Sequence, residues 1–176
     1  NDGFKLLDNT GLASNYTITS DSFVITQRTL NSSGNRLYDA TTTANSGDLT
    51  LSNLVGSETL AFSGNGTLSD ADVATNKTVT LNTLSISDNS GLAANYTLSG
   101  GTHQLTVNQR PLNATLARQY DGTTTAAGSD LSSFDALQGG ETLTMTGSGT
   151  AASANVANGI AMSSNGTLAL ADGTGL

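Results

Sequence analysis

The sequence predicts an all-β fold in which small antiparallel β domains follow one another in tandem. Apolar residues alternate with Thr and Ser in several short runs, which is the period-two pattern of strands. Clusters of Gly, Asn and Asp separate these runs and favour tight turns. The same set of motifs also occurs twice in the same order. Together these observations indicate related β-rich units and not a disordered chain.

The repeat is 82 residues long, since RTLNSSGNRLYDATTTA begins at Arg28 and RPLNATLARQYDGTTTA begins at Arg110. A solenoid unit has roughly 20 to 45 residues, so each copy here is expected to be a domain. The chain then divides into residues 1–27, the C-terminal strands of a preceding repeat, residues 28–109, a complete repeat, and residues 110–176, a repeat without its last strands. We call these parts the leading segment, the first repeat and the second repeat.

Alternation within the first repeat predicts strands at residues 58–64, 77–87, 95–100 and 103–109. In the second repeat, DLSSFDALQ at residues 130–138 predicts a short helix before a Gly-Gly pair. Short strands with frequent turns favour either a small antiparallel sandwich or a β-grasp-like unit, and the pattern leaves both open. Domains of either kind would be strung as beads in a stalk or fibre.

The composition argues against several partners and cofactors. The net charge is -8 and the six Lys and Arg residues are scattered, which is the wrong sign and pattern for binding nucleic acid. The longest apolar runs fall well short of the roughly 18 residues of a membrane span. The absence of cysteine removes disulfides, thiol catalysis and thiolate metal sites. We expect no cofactor, no nucleic acid and no membrane span.

Four residues of the first repeat recur in register in the second, and we assign them structural roles. They are Arg36, Tyr38, Asp39 and Glu58, with counterparts Arg118, Tyr120, Asp121 and Glu141. We expect each arginine to pair with the glutamate of its own repeat through a planar fork, or alternatively both to be independent surface charges. Both tyrosine rings are expected to be buried with their hydroxyls hydrogen-bonded.

Candidate catalytic and metal-binding residues are few, and we expect no enzyme activity. His103 is the only histidine and is expected to be a solvated strand residue, because no triad partners flank it. With one glutamate in each repeat, paired carboxylates of the glycosidase kind would lie in different domains. Asp70 and Asp72 could ligate calcium, but two aspartates in a turn are more often turn formers. The sequence predicts no catalytic and no metal site.

Several motifs together resemble a known repeat family. Besides the initial R-x-L, they are YDGTTTA (residues 120–126), G-x-E-T-L, GTLSDADV (residues 66–73) and ANYTL (residues 94–98). They are similar to the YDG and related MBG repeats of large bacterial surface and secreted adhesins, including filamentous-haemagglutinin-like exoproteins. The resemblance implies a secreted or cell-surface stalk without enzymatic activity. One departure is Ala40, where the YDG pattern has glycine.

The leading segment carries a copy of the strands that the second repeat lacks. DNTGLASNYTI begins at Asp8 and DNSGLAANYTL begins at Asp88, whereas the sequence ends on DGTGL. Either the chain is a window of a longer periodic fibre, or chains complement one another head-to-tail by strand addition. In the second case we expect Tyr16, Ile18, Val24 and Ile25 to enter a neighbouring repeat. The alternative function is a module that binds glycan or extracellular polysaccharide.

We expect residues 28–109 to fold alone as a β domain without metal or cofactor. The predicted strands exceed the marginal two-stranded case, so the fragment can form a core. Far-ultraviolet circular dichroism of this fragment at neutral pH should give a β spectrum. A random-coil or mainly helical spectrum would contradict the division of the chain.

Overall fold

The computed structural model describes residues 6–7, 9–19, 22–163 and 167–173. It confirms a mostly β chain with many small antiparallel sheets and two tandem domains. The helical segments in the described part are 3₁₀ turns of three residues each. The predicted helix at residues 130–138 is wrong: Gly128–Asp130 is a 3₁₀ turn and Leu131–Phe134 is a strand. None of the helices in these residues is long and apolar enough to cross a membrane.

The first repeat contains ten short strands. They are β1 (Arg28–Thr29), β2 (Asn31–Leu37), β3 (Thr43–Asn45), β4 (Leu49–Ser52), β5 (Ala61–Ser63), β6 (Asn65–Thr67), β7 (Ala74–Thr78), β8 (Ser85–Ser87), β9 (Tyr96–Thr97) and β10 (His103–Asn108). The second repeat contributes β11 (Ala114–Leu116), β12 (Thr125–Ala127), β13 (Leu131–Phe134), β14 (Leu143–Thr146), β15 (Ser148–Ala151), β16 (Met162–Ser163) and β17 (Ala169–Asp172).

The largest sheet joins the two ends of the first repeat. Its order is β4-β2-β10-β7, and β2 pairs with β10 in parallel over six residues, from Ser32–His103 to Leu37–Asn108. The pairs β2–β4 and β7–β10 are antiparallel. A second parallel pair, β1–β9, matches Arg28 with Tyr96. The expected antiparallel domain is therefore closed by parallel pairs between its first and last strands.

The smaller sheets recur in both repeats. In the first repeat β3 pairs with β6 and β5 with β8, while in the second β12 pairs with β15 and β14 with β17. The pair β11–β13 likewise corresponds to β2–β4. The described part of the second repeat has no counterpart of β9 or β10. These residues also contain no counterpart of β7, which pairs with β10 in the first repeat. The two repeats therefore share one framework and differ at the parallel strands and at β7.

Strand β10 lies at the centre of the first repeat's core. From His103 to Val107 its residues alternate between buried and half-buried, and Leu105 and Val107 are 0% and 1% exposed. Both belong to a cluster that includes Leu49 and Val79. A second cluster gathers around Leu30, which is also fully buried. Complete burial of an aliphatic side chain contributes about 1.5 to 3 kcal/mol, so β10 contributes strongly to folding.

Two equivalent positions explain why the motif after the repeated tyrosine favours glycine. Gly122 has φ +75°, and Ala40, its counterpart in the first repeat, has φ +59°. Left-handed backbone favours glycine because a Cβ atom is unfavourable there. The first repeat therefore keeps the conformation of the YDG motif with an alanine in a strained position.

We expect Leu105→Ala to destabilise the first repeat by about 2 to 5 kcal/mol, because the side chain is fully buried and leaves a cavity. Urea unfolding measures the change. Leu92→Ala is the matched control: Leu92 is 53% exposed, and its loss should cost less than about 0.5 kcal/mol. Equal losses in both variants would contradict the assignment of the core.

Candidate functional site

The second repeat has an open apolar groove of about 830 Å³ beside strand β11. Its walls come from β11, β13, β14 and β17, with Tyr38 and Val73 of the first repeat at one side. Grooves lined by apolar side chains with a few polar groups are the usual form of a binding site. We therefore treat this groove as the candidate functional site.

The corresponding place in the first repeat is filled by strand β9 and the residue after it. Tyr96 and Leu98 are 3% and 8% exposed and pack with Leu30 in one cluster. The Leu30 amide donates to the Thr97 carbonyl at 2.8 Å, which ties the strand to the cluster. The partly buried residues around them are Leu51, Leu54, Leu60, Phe62, Leu81 and Ile86. In the first repeat a Tyr-Thr-Leu stretch thus completes the cluster.

The groove of the second repeat is lined by the counterparts of that cluster. Strand pairing fixes the correspondence, because Met145 faces Leu170 as Phe62 faces Ile86, and Ala114 faces Phe134 as Ser32 faces Leu51. The lining residues are Leu112 for Leu30, Phe134 for Leu51, Leu137 for Leu54, Leu143 for Leu60, Met145 for Phe62 and Leu170 for Ile86. The groove therefore corresponds to the site that Tyr96 and Leu98 fill in the first repeat.

Exposure of the second repeat agrees with this comparison. Met162 is 40% exposed, whereas its counterpart Val79 is 3% exposed. Leu170 is 56% exposed, whereas its counterpart Ile86 is half-buried. Ala114 on β11 is exposed, whereas its counterpart Ser32 is 2% exposed. The apolar face that β9 and β10 cover in the first repeat faces solvent in the second.

Each repeated glutamate accepts a hydrogen bond from a tyrosine. Tyr96 donates its hydroxyl hydrogen to Glu58, and the same hydroxyl accepts the Val55 amide at 3.2 Å. Glu141 in the groove instead accepts the hydroxyl hydrogen of Tyr38, which belongs to the first repeat. The Tyr38 carbonyl oxygen also accepts a hydrogen bond from Nε of Arg110, at 2.6 Å. Tyr38 thus connects the two repeats through its side chain and its backbone.

The bond to Glu141 raises the pKa of Tyr38 to about 12, because the neighbouring carboxylate favours the neutral phenol. Burial of the ring and the negative charges of nearby carboxylates act in the same direction. Glu58 likewise raises the pKa of Tyr96. Both tyrosines are therefore hydrogen-bond donors throughout the neutral range.

The predicted pairing of Arg36 with Glu58 and of Arg118 with Glu141 is wrong. Arg36 forms an ion pair with Asp39, and Arg118 pairs with Asp121 at 2.8 Å. An aspartate three residues along the same turn is reached without ordering a distant side chain, so it wins over the glutamate. The side chain of Arg36 is 6% exposed and that of Arg118 is 27% exposed.

A threonine completes the same turn in both repeats. Arg36 donates to the carbonyl oxygen of Thr41 at 2.5 Å, and Arg118 donates to that of Thr123 at 2.5 Å. Burial alone would raise the pKa of Asp39, but hydrogen bonds from Arg36 and Thr41 outweigh it and lower the pKa. The amide of Thr123 is the largest cause of the lowered pKa of Asp121.

The two repeated tyrosines differ in environment. Tyr38 packs against the core of the first repeat and its hydroxyl is hydrogen-bonded, but it is half-buried and not buried as expected. Tyr120 is 67% exposed, so its expected burial is wrong. The reason is positional: the groove and second repeat that meet Tyr38 follow it along the chain, and nothing in the described residues covers Tyr120 in the same way.

The four expected donor residues lie outside the groove. Tyr16, Ile18, Val24 and Ile25 are 69%, 42%, 77% and 83% exposed, and none belongs to the groove lining. They lie outside the strands and 3₁₀ turns of the described residues. Their insertion into a neighbouring repeat stays a prediction.

His103 has partners that the sequence did not reveal. His103 is 6% exposed, with Nδ1 at 2.9 Å from the Ser32 hydroxyl and Nε2 at 2.9 Å from the Leu98 carbonyl, so the expected solvated histidine is wrong.

Asp70 and Asp72 share a lysine partner that the sequence did not reveal. Lys77 contacts the carboxylate of Asp70, and its ammonium lies 2.9 Å from the carbonyl oxygens of Asp70 and Asp72. This lysine lowers the pKa of Asp70 to about 2.

Sequence reasoning missed Tyr96, Leu98 and the groove residues that match their surroundings. The signal was present in the alignment, since ANYTL follows DNSGLA in the first repeat and has a copy only in the leading segment. Aligning each apolar residue of the two repeats would have identified the groove. Its burial and depth required the structure.

Comparison with known proteins identifies the repeats. A family model described as YDG domain matches residues 24–104 and again residues 103–175. Neither the search of curated proteins nor the search of solved structures gave a significant match. The two matches overlap at residues 103 and 104, so two tandem YDG domains extend across residues 24–175.

We expect Tyr38→Phe to remove a pH dependence of stability between about pH 10 and pH 12. A folded-state pKa raised to about 12 stabilises the fold below the ordinary tyrosine pKa near 10, and this contribution is lost as the pH rises through 12. Urea midpoints measured from pH 9 to pH 12 should fall less steeply in this variant. Tyr120→Phe is the control, and an identical slope for Tyr38→Phe and the parent chain would contradict the bond to Glu141.

Proposed function

The chain belongs to the YDG domain family, and from this premise we propose that it is a non-enzymatic structural repeat in the stalk or fibre of a bacterial extracellular adhesin. The resemblance of its motifs to the YDG and MBG repeats of such adhesins supports this proposal. Its site of action would be the bacterial surface or the secreted fraction. Its partners would be neighbouring repeats or copies of itself.

The observation that carries the proposal is the parallel pairing of β2 with β10. A stalk under tension is pulled at the N-terminal end of β2 and at the C-terminal end of β10. In a parallel pair these two points lie at opposite ends, so the pull slides the strands past each other. All hydrogen bonds of the pair then resist together. In an antiparallel pair the two pulled points would lie at the same end, and the hydrogen bonds would break one after another.

The core adds to this resistance. Leu105 and Val107 alternate along β10 and are completely buried, so sliding of the strand would also disrupt the core. Stability without any cysteine rests on this packing and on hydrogen bonds. These features suit a repeat whose task is mechanical.

We further propose that repeats join head-to-tail by strand complementation. A strand edge that is uncovered next to an apolar groove favours addition of an extended segment. Strand β11 has such an edge in the described part of the second repeat, since it pairs with β13 alone. Contacts of this kind are heterologous and do not close on themselves, so they generate linear assemblies.

Single-molecule pulling tests the mechanical proposal. Because the chain has no cysteine, introduced cysteines define the attachment points. Handles at Gln27→Cys and Gln109→Cys load β2 and β10 in shear, and handles at Gln27→Cys and Thr102→Cys load the same pair as a zipper. We expect a rupture force several-fold higher in shear, with release of roughly 280 Å of chain at about 3.4 Å per residue.

The zipper variant is the matched control, because it has the same fold and differs only in the direction of force. Equal rupture forces in both geometries would contradict a stalk that resists tension. A glycan array with the parent chain provides an independent check. Specific binding to a polysaccharide would favour the alternative function.

A further inference from the structure

We infer that the groove of the second repeat binds the leading segment of a second copy of this chain, and that Glu141 recognises Tyr16 in that segment. This inference rests on the proposed head-to-tail joining and specifies its contacts. The first repeat supplies the template, because its residues 93–98 occupy the place that corresponds to the groove and closely resemble residues 13–18 of the leading segment. Residues 13–18 read ASNYTI, and residues 93–98 read AANYTL.

Tyr16 is the recognition residue in this arrangement. Its counterpart Tyr96 is 3% exposed and donates to Glu58, whereas Tyr16 is 69% exposed in its own chain. Glu141 occupies the place of Glu58, with its amide bonded to Gln138 at 3.0 Å as that of Glu58 is bonded to Val55. A carboxylate accepts at both oxygens, so Glu141 can hold Tyr38 at one and Tyr16 at the other.

Ile18 follows Tyr16 into the groove. Its counterpart Leu98 is 8% exposed and completes the cluster around Leu30. In the second repeat Leu112 stands for Leu30 and lines the groove. The Leu30 amide donates to Thr97, and Leu112 can donate to Thr17 in the same way. Pro111, which precedes Leu112, has no N–H. The proposed bond to Thr17 uses the N–H of Leu112, so the proline does not prevent it.

The strand that follows adds in parallel to β11. Residues 23–27 align with residues 105–109 at the repeat distance of 82 residues. Phe23 and Ile25 therefore correspond to Leu105 and Val107, which are 0% and 1% exposed. Val24 corresponds to Thr106, which is only half-buried. Phe23 and Ile25 therefore face the core of the acceptor, and Val24 faces outward. This replaces Val24 with Phe23 among the inserted residues.

The leading segment does not reach the groove of its own chain, so in this inference it comes from a second copy. Ile25 would lie beside Arg118, since Val107 pairs with Arg36. Ile25 is three residues from Arg28, which is fixed beside Tyr96 at the start of the first repeat. The second repeat begins after β10, whose six residues span roughly 20 Å in the direction away from Arg28. Three residues cover about 10 Å, so they do not reach.

Disulfide trapping of the full chain tests the register. Asn108 pairs with Leu37, so Thr26 of one copy is expected opposite Gln119 of the next. In the Thr26→Cys/Gln119→Cys variant, mild oxidation should link successive copies into a ladder of multimers on a non-reducing gel. Thr26→Cys/Ser133→Cys is the matched control, because Ser133 is also exposed but lies on β13, at the other side of β11.

A second set of variants tests recognition by Glu141. Tyr16→Phe in the trapping variant should slow ladder formation at least about tenfold, because a hydrogen bond to a carboxylate is lost. Tyr120→Phe is the control, because Tyr120 is 67% exposed and Tyr16 is 69% exposed, and it should leave the rate unchanged. In a Glu141→Gln background the effect of Tyr16→Phe should shrink, since the two residues share one contact.

A ladder with the Gln119 pair alone, slowed by Tyr16→Phe, supports the inference. Equal ladders with both cysteine pairs, a disulfide closed within one chain, or additive effects of Tyr16→Phe and Glu141→Gln would overturn it. If the ladder fails while shear still resists more force than the zipper geometry, this inference fails and the proposed stalk function stands. If the ladder forms and the rupture forces are equal, the proposed stalk function fails and this inference stands.

Discussion

The parallel pair between β2 and β10 is the interaction on which the first repeat depends. It joins residues 71 positions apart and places Leu105 and Val107 in the core, each essentially without solvent exposure. It also forms the centre of a four-stranded sheet with β4 and β7 at its sides. The smaller ladders around it are two-stranded, and isolated two-stranded sheets are marginal in water. They are held in place because the central pair closes the repeat.

The second repeat shows what the framework looks like when that pair is not formed within the described residues. Its short ladders keep the same partners, yet residues such as Met162 and Leu170 are far more exposed than their counterparts. The turn around Arg118 is also more open than the turn around Arg36. Local sequence therefore forms the ladders and turns, and the parallel strands determine whether they enclose a core.

Much of the architecture could be predicted from the sequence, because period-two alternation and the 82-residue repeat are local or linear signals. The parallel pairing could not be predicted. Alternation indicates that β10 is a strand but not which strand it meets, and the sequence NSSGNRL of β2 does not alternate, so no strand was expected there. The same limit explains the failed pairing of Arg36 with Glu58: register across a repeat is invisible, and Asp39 in the same turn competes successfully. His103 was misjudged because its partner Ser32 is distant in sequence.

The burial of basic side chains has a consequence for proteolysis. Trypsin needs an accessible lysine or arginine in backbone that can be drawn into its active site, and exposed loops supply such sites most readily. In the described chain the side chains of Arg36 and Lys77 are only 6% and 7% exposed, and Arg110 precedes a proline, which trypsin does not cleave. Arg118 is more accessible and lies in the open second repeat, and Arg28 is exposed at the start of the first repeat. A joint that covered Arg118 as β10 covers Arg36 would make the assembled fibre harder to digest than its free subunit.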